Sequence, residues 1–160
     1  MQQRFFLYTA VLSLLALGVA LISQHGFGLR PCAWCIFQRL LLLVLFLLSL
    51  IGYIAMAWRQ LWLGLLTRIF IIITAYGGVM AAWYQHSVAA KLFSCDMSFA
   101  DQFMINTGLE SSIPWLFGIY ASCMDATTAV LGLDYALWAL LFFALVGITN
   151  TFVLFRKAVI

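Results

Sequence analysis

Apolar residues run along this chain in four blocks, at 5–22, 36–57, 64–84 and 135–155, each near the roughly 20 residues that an α-helix needs to cross a bilayer. The third block starts as early as Leu61 if Arg68 lies inside the span rather than at its edge. Trp58, Trp62, Trp83 and Trp138 fall near the block ends, where amphipathic rings favour the headgroup layer. The first block follows Arg4 and has the look of a signal peptide. It exceeds the usual hydrophobic region of about 7–15 residues, however, and no small-x-small cleavage site follows, so it is expected to be a retained helix.

The polar positions gather in two connecting segments, 23–35 and 85–134. In the longer one, Ser98-Phe99-Ala100-Asp101 has the form of a capping box. It predicts a short helix with Phe99, Phe103 and Met104 on one side and Gly108 at its end. Ile113-Pro114-Trp115-Leu116-Phe117 is apolar enough either to lie on a membrane surface or to pack on the bundle itself. The predicted fold is therefore an all-α membrane protein. It is a four-helix transmembrane bundle with one short and one long outer loop, the long loop carrying a short surface helix, and residues 1–160 form a single integral membrane domain.

Composition identifies the solvent. Hydrophobic residues make up 66% of the chain and charged residues 8%, against about 45–50% and about 25% in soluble domains. The mean hydropathy is +1.11, and 13 charged side chains cannot cover such a surface in water. The net charge of +3 is small and scattered, which excludes a nucleic-acid partner. The cations do set an orientation. With both termini cytoplasmic, the inner segments hold Arg4, Arg59, Arg68, Arg156 and Lys157 and the outer ones hold Arg30, Arg39 and Lys91, which satisfies the positive-inside rule. All five acids (Asp96, Asp101, Glu110, Asp125 and Asp134) then lie outside.

Two spans separate Cys35 from Cys95, so all four cysteines (Cys32, Cys35, Cys95 and Cys123) emerge on the same non-cytoplasmic face, which in a bacterial cell is the oxidising one. Four cysteines allow three pairings, and adjacency favours Cys32 with Cys35 and Cys95 with Cys123. A bridge across Cys32-x-x-Cys35 closes too small a ring to be a useful staple. Pro31 before it and an apolar helix after it place both sulfurs at a helix N-terminus, where free amides and the helix dipole favour a thiolate. Ile36 stands where a c-type haem site needs histidine, and Cys95 and Cys123 lack the C-x-x-C spacing of a four-cysteine zinc site, so no metal is expected. Cys95–Cys123 reads equally as a structural staple or as a second redox pair that relays disulfides by exchange.

Arg39 lies four residues after Cys35 and seven after Cys32, on the same helical face. A cation one turn inside an apolar helix points to a functional site, holding an electron-rich ligand or stabilising a thiolate; the alternative is an arginine snorkelling outwards. His86, at the outer end of the third span, either donates to the same ligand or is simply solvated. His25 reads as a loop residue.

Residues 31–39, Pro-Cys-Ala-Trp-Cys-Ile-Phe-Gln-Arg, then Ser94-Cys95-Asp96, Cys123, Leu131-Gly132-Leu133 and Trp138, resemble in order the motifs of the DsbB family, over nearly the whole chain. Members of that family are bacterial inner-membrane proteins that reoxidise the periplasmic dithiol oxidase DsbA and pass the electrons to quinone. The resemblance implies a quinone-dependent protein-disulfide oxidoreductase. Cys32–Cys35 would be the quinone-reducing pair, with Cys35 facing the ring. Cys95 would be attacked by the DsbA-like thioredoxin-fold partner, with Cys123 as its mate, and Arg39 and His86 would bind ubiquinone or menaquinone. Two departures stand out: the stretch from His86 to Cys95 is short, and Gln38 occupies a position that is acidic in the best-known member. Two rivals remain. One is a vitamin K epoxide reductase-like oxidoreductase, in which the loop pair typically precedes C-x-x-C. The other is a non-enzymatic membrane subunit with two structural disulfides.

Overall fold

Four long helices carry the apolar blocks: α1 (Gln2–Phe27), α2 (Ala33–Ala57), α3 (Leu61–Ser87) and α7 (Tyr135–Ala158). All four are long and apolar enough to cross a membrane. The computed structural model describes residues 2–91, 97–125, 129–130 and 132–158. Cys95, with Ser94 and Asp96 beside it, and Leu131 lie outside the described residues. The helices overrun their apolar blocks because a backbone in lipid has no partner but itself, so the ladder continues until polar groups or water take over. Gly28, at φ 68°, turns the chain out of α1, and the Leu29 amide returns to the Ser23 carbonyl at 3.2 Å. His25, expected in a loop, therefore sits in the last turn of α1.

α1 packs along α2, α2 along α3 and α3 along α7, whereas α1 and α7 barely touch. Small residues set the close contacts, as they must where lipid offers no hydrophobic drive to bring helices together. The ring of Phe6 on α1 fills the space a side chain would take at Gly52 of α2, and Phe143 on α7 does the same at Gly78 of α3. Arg68, which the sequence left between interface and interior, is inside, 3% exposed, with its guanidinium 4.5 Å from the centre of the Phe6 ring. The seam between α1 and α7 is tied near the chain termini, where Asn150 Nδ2 donates to Thr9 Oγ1 at 3.4 Å. Towards the opposite end it stays open.

At that opposite end the long connection folds over the bundle. The capping box is formed: the Asp101 amide donates to Ser98 Oγ at 3.3 Å and the Ser98 amide to Asp101 Oδ2 at 2.9 Å. It starts α4 (Phe99–Asn106), which Gly108 ends at φ 66°. Met104 is fully buried and Phe103 packs edge-on to Phe37 of α2, while Phe99 keeps 64% of its surface exposed. Two further short helices follow, α5 (Leu109–Ser112) and α6 (Pro114–Phe117). The apolar 113–117 stretch divides its faces: Leu116 and Phe117 are buried against the bundle, and Trp115 points away. β1 (Ala129–Val130) and β2 (Leu133–Asp134) pair antiparallel around Gly132 and lead straight into α7.

Gly78→Val tests the α3–α7 contact. A Cβ there would lie 2.4 Å from the Phe143 ring, which is fully buried and cannot retreat. Overpacking of this kind costs about 1–3 kcal/mol. Thermal unfolding in detergent is expected to show a lowered Tm, whereas Gly147→Ala, whose Cβ meets nothing closer than 3.5 Å, should leave it unchanged.

Candidate active site at the head of α2

The site begins with the backbone of Cys32. As the residue before the first turn of α2 it is extended (φ −88°, ψ 172°), and its carbonyl accepts the Ile36 amide at 3.0 Å. This conformation turns its side chain inwards, where it is fully buried among Ala33, Trp34, Ala81 and Ala100. Cys35 lies one turn on, half-buried, with its sulfur 3.2 Å from that of Cys32; both are thiols here.

Gln85, from the last turn of α3, closes over the pair. Its Nε2 donates to Cys35 Sγ at 3.1 Å and to Cys32 Sγ at 3.6 Å. Its Oε1 accepts from Gln38 Nε2 at 2.7 Å, and both glutamines are buried. In a dry interior such a chain is stable only if every polar atom along it has a partner, and this one does for the amide at its centre.

The third sulfur arrives from the loop. The Tyr120 amide donates to the Pro31 carbonyl at 3.0 Å, and this pins the segment after α6 beside the head of α2. Cys123 is thereby brought into hydrogen-bonding reach of Cys32 and of the free backbone amide of Trp34. Donation from the Cys32 thiol lowers the pKa of Cys123 from the ordinary thiol value, and the same bond raises that of Cys32. Cys32, Cys35 and Cys123 thus form one cluster. The expected partnership of Cys123 with Cys95 falls on a residue outside the described ones.

Arg39 does not snorkel. It is 5% exposed and turned onto α1, where its guanidinium donates to the Ala20 carbonyl at 3.2 Å and to Gln24 Oε1. A further bond, also at 3.2 Å, reaches the Leu116 carbonyl at the end of α6. Between α1, α2 and α7, where the seam is open, lies a cavity of about 300 Å³. Cys35 and Arg39 line it together with Gln38, Ser23 and Tyr135, and the rest of the wall is apolar, Trp138 and Phe142 included. This is the lower end of the size range for small-molecule sites.

His86 lies outside that cavity. Its Nδ1 is 2.8 Å from Asp134 Oδ2, so it ties the end of α3 to the residue before α7. His25 Nε2 meets the Trp115 carbonyl at 3.0 Å. Gln85 and Tyr135 were not picked out from the sequence. The only signal for Gln85 is a second uncharged polar residue beside His86 at the end of an apolar helix, and Tyr135 looks like any aromatic at a helix end.

The family model for disulfide bond formation protein DsbB matches residues 2–153. Disulfide bond formation protein B of Polaromonas naphthalenivorans is 32% identical over 163 aligned positions, covering 92% of each chain. That of Cupriavidus metallidurans is 28% identical over 154, covering 96% of this chain and 92% of its own. Disulfide bond formation protein B 1 of Pseudomonas entomophila is 28% identical over 159, covering 98% and 92% respectively.

The Cys32–Cys123 hydrogen bond makes a testable ordering of reactivity. In the fully reduced protein Cys123 should be alkylated at lower pH than Cys32, because the thiolate is the nucleophile. Cys32→Ala removes the donor and should move the Cys123 profile to higher pH, read by mass spectrometry of the labelled peptides. An unmoved Cys123 profile would show that the two sulfurs do not share a proton.

Proposed function

The chain belongs to the DsbB family of disulfide bond formation proteins, and on that premise we propose that it is a quinone-dependent thiol oxidase that reoxidises a periplasmic DsbA-type dithiol protein. The membership makes it a membrane-embedded, disulfide-forming oxidoreductase. One observation carries the finer reading: Cys35 and Arg39, one turn apart on α2, line the same largely apolar cavity of about 300 Å³. A quinone ring fits that space, and its apolar tail can leave through the open seam between α1 and α7 into lipid. Quinone, when bound, takes up two electrons and two protons.

Each residue then has a task. Cys95 meets the attacking thiolate of the DsbA-like partner, and Cys123 is its mate in the resting disulfide. Exchange passes that disulfide inwards by way of mixed disulfides, and the approach of Cys123 to Cys32 supports this route. Cys32 and Cys35 thereby become the dithiol, and Cys35, on the cavity wall, hands its electrons on while the Cys32–Cys35 bridge re-forms. The balance is one dithiol of the partner oxidised for one quinone reduced. Arg39 presents positive charge where the ring oxygen gains electron density. His86 contributes by holding Asp134, and with it the adjacent Tyr135 on the cavity wall. The cysteines face the periplasm, and both termini lie on the cytoplasmic side of the inner membrane. A scaffold with two structural disulfides would need neither a cavity at Cys35 nor a buried arginine beside it.

Turnover of reduced DsbA-type substrate with quinone, followed in Cys35→Ser and Cys95→Ser proteins, separates the readings. Both variants are expected to fall to background. Retained turnover in Cys35→Ser would overturn the oxidase assignment, and retained turnover in Cys95→Ser would make the loop pair a staple. For Arg39→Ala the apparent KM for quinone should rise about tenfold or more, equivalent to about 1.4 kcal/mol of lost binding. An unchanged KM alongside a lowered Tm would leave Arg39 a structural anchor only.

A further inference from the structure

The Cys32–Cys35 pair has a donor that carries no charge. Gln85 places both hydrogens of one amide NH2 group on the two sulfurs, nearer to Cys35 at 3.1 Å than to Cys32 at 3.6 Å. A glutamine amide presents donors on one side and an acceptor on the other, and nothing intrinsic to it decides which faces the sulfurs. Gln38 decides. Its Nε2 donates to Gln85 Oε1 at 2.7 Å, so the carbonyl is held away from the dithiol and the NH2 group towards it. Gln38 stands one turn after Cys35 on α2 and lines the cavity, while Gln85 reaches Cys35 from α3. The sulfur of Cys35 thus has an open cavity on one side and a fixed hydrogen-bond donor on the other.

The charged and titratable groups around the pair come from several elements. Arg39 lies on the same helix, Arg30 just before it, and Tyr135 at the head of α7. Cys123 comes from the loop, with Asp101 of α4 acting on it, and α1 presents the neutral Ser23 and Gln24. Among the residues that touch the Cys35 sulfur, Gln85 is the one that changes least with pH: an amide neither gains nor loses a proton, so its donation is constant.

We propose that Gln85 stabilises the Cys35 thiolate as a neutral hydrogen-bond donor, and that Gln38 is the positioning residue that locks its amide in the donating orientation. The proposal rests on the reading of Cys32–Cys35 as a working dithiol. Its consequence is that Cys35, rather than Cys32, carries the negative charge beside the cavity, held by a donor on α3 that does not titrate; His86, the next residue of α3, is turned to Asp134. A carboxylate at position 85 would reverse this, setting acceptor oxygens and a negative charge against the sulfur.

The test uses the full chain in detergent, reduced, with neither quinone nor partner present. The rate of Cys35 alkylation by iodoacetamide is followed against pH, and fragment spectra of the 31–39 peptide distinguish Cys35 from Cys32. Gln85→Glu, nearly isosteric, should move the Cys35 profile up by about one pH unit, a tenfold loss of thiolate at fixed pH. Gln38→Leu leaves Gln85 in place but removes the group that holds its carbonyl away from the sulfurs, and should shift the profile the same way by less. In a Gln85→Leu background Gln38→Leu should add nothing. An unmoved profile in Gln85→Glu overturns the donor role, and additive shifts in the double variant overturn the positioning role. Since no quinone enters this measurement, failure of wild-type quinone turnover would sink the oxidase reading and leave the alkylation profiles to speak for the amide.

Discussion

A guanidinium enclosed by a lipid-embedded bundle cannot borrow hydrogen bonds from water, so the bundle has to supply them. At Arg39 that requirement draws three parts of the chain to one point. The arginine leaves α2, takes a carbonyl and a glutamine oxygen from α1, and takes the Leu116 carbonyl of the short helix α6. Donors on a planar, permanently charged fork are suited to such a junction, and a lysine could not span it in the same way. Because α6 is held there, the segment that follows passes Pro31, and because that segment passes Pro31, Cys123 reaches Cys32. The buried charge and the meeting of the cysteines are therefore parts of one arrangement.

The second constraint is where the helices do not meet. Phe6 in the hollow at Gly52 and Phe143 in the hollow at Gly78 draw α1 to α2 and α7 to α3. Thr9 and Asn150 close the α1–α7 seam only towards the termini. Beyond that point the gap between α1 and α7 becomes a cavity with Cys35 on its wall. Cohesion at one end and separation at the other leave the bundle open there.

The chemistry is concentrated in the first turn of α2, where three kinds of donor act on sulfur. The free amide of Trp34 serves Cys123, the thiol of Cys32 serves Cys123 as well, and the amide of Gln85 serves Cys35. The arrangement separates roles among sulfurs that are chemically identical: Cys32 sits in the middle and donates to Cys123 on the loop side, while Cys35 takes the amide of Gln85 and lines the cavity. Thiol–disulfide exchange needs that asymmetry, since the attacking sulfur must be ionised and the others must not compete with it.

Much of this was legible along the chain. Four apolar blocks of bilayer length dictate four helices, since only a helix satisfies its backbone within a single segment in lipid. The capping box at Ser98 is local, and so is the position of Cys32 and Cys35 at a helix head after Pro31; each depends on residues within one turn. The ordered motifs from Pro31 to Trp138 identified the family for the same reason, being a property of sequence alone. The tertiary structure decided what joins residues far apart: that Arg39 is buried rather than snorkelling, that His86 turns to Asp134 and away from the cavity, that Cys123 lies against Cys32, and that Gln85 hydrogen-bonds a residue 47 positions away. Periodicity says which face of a helix is apolar, but in lipid nearly every face is. Which polar side chains find each other is then settled by how the helices are rotated and how closely small residues let them approach, and that is a property of the packed bundle.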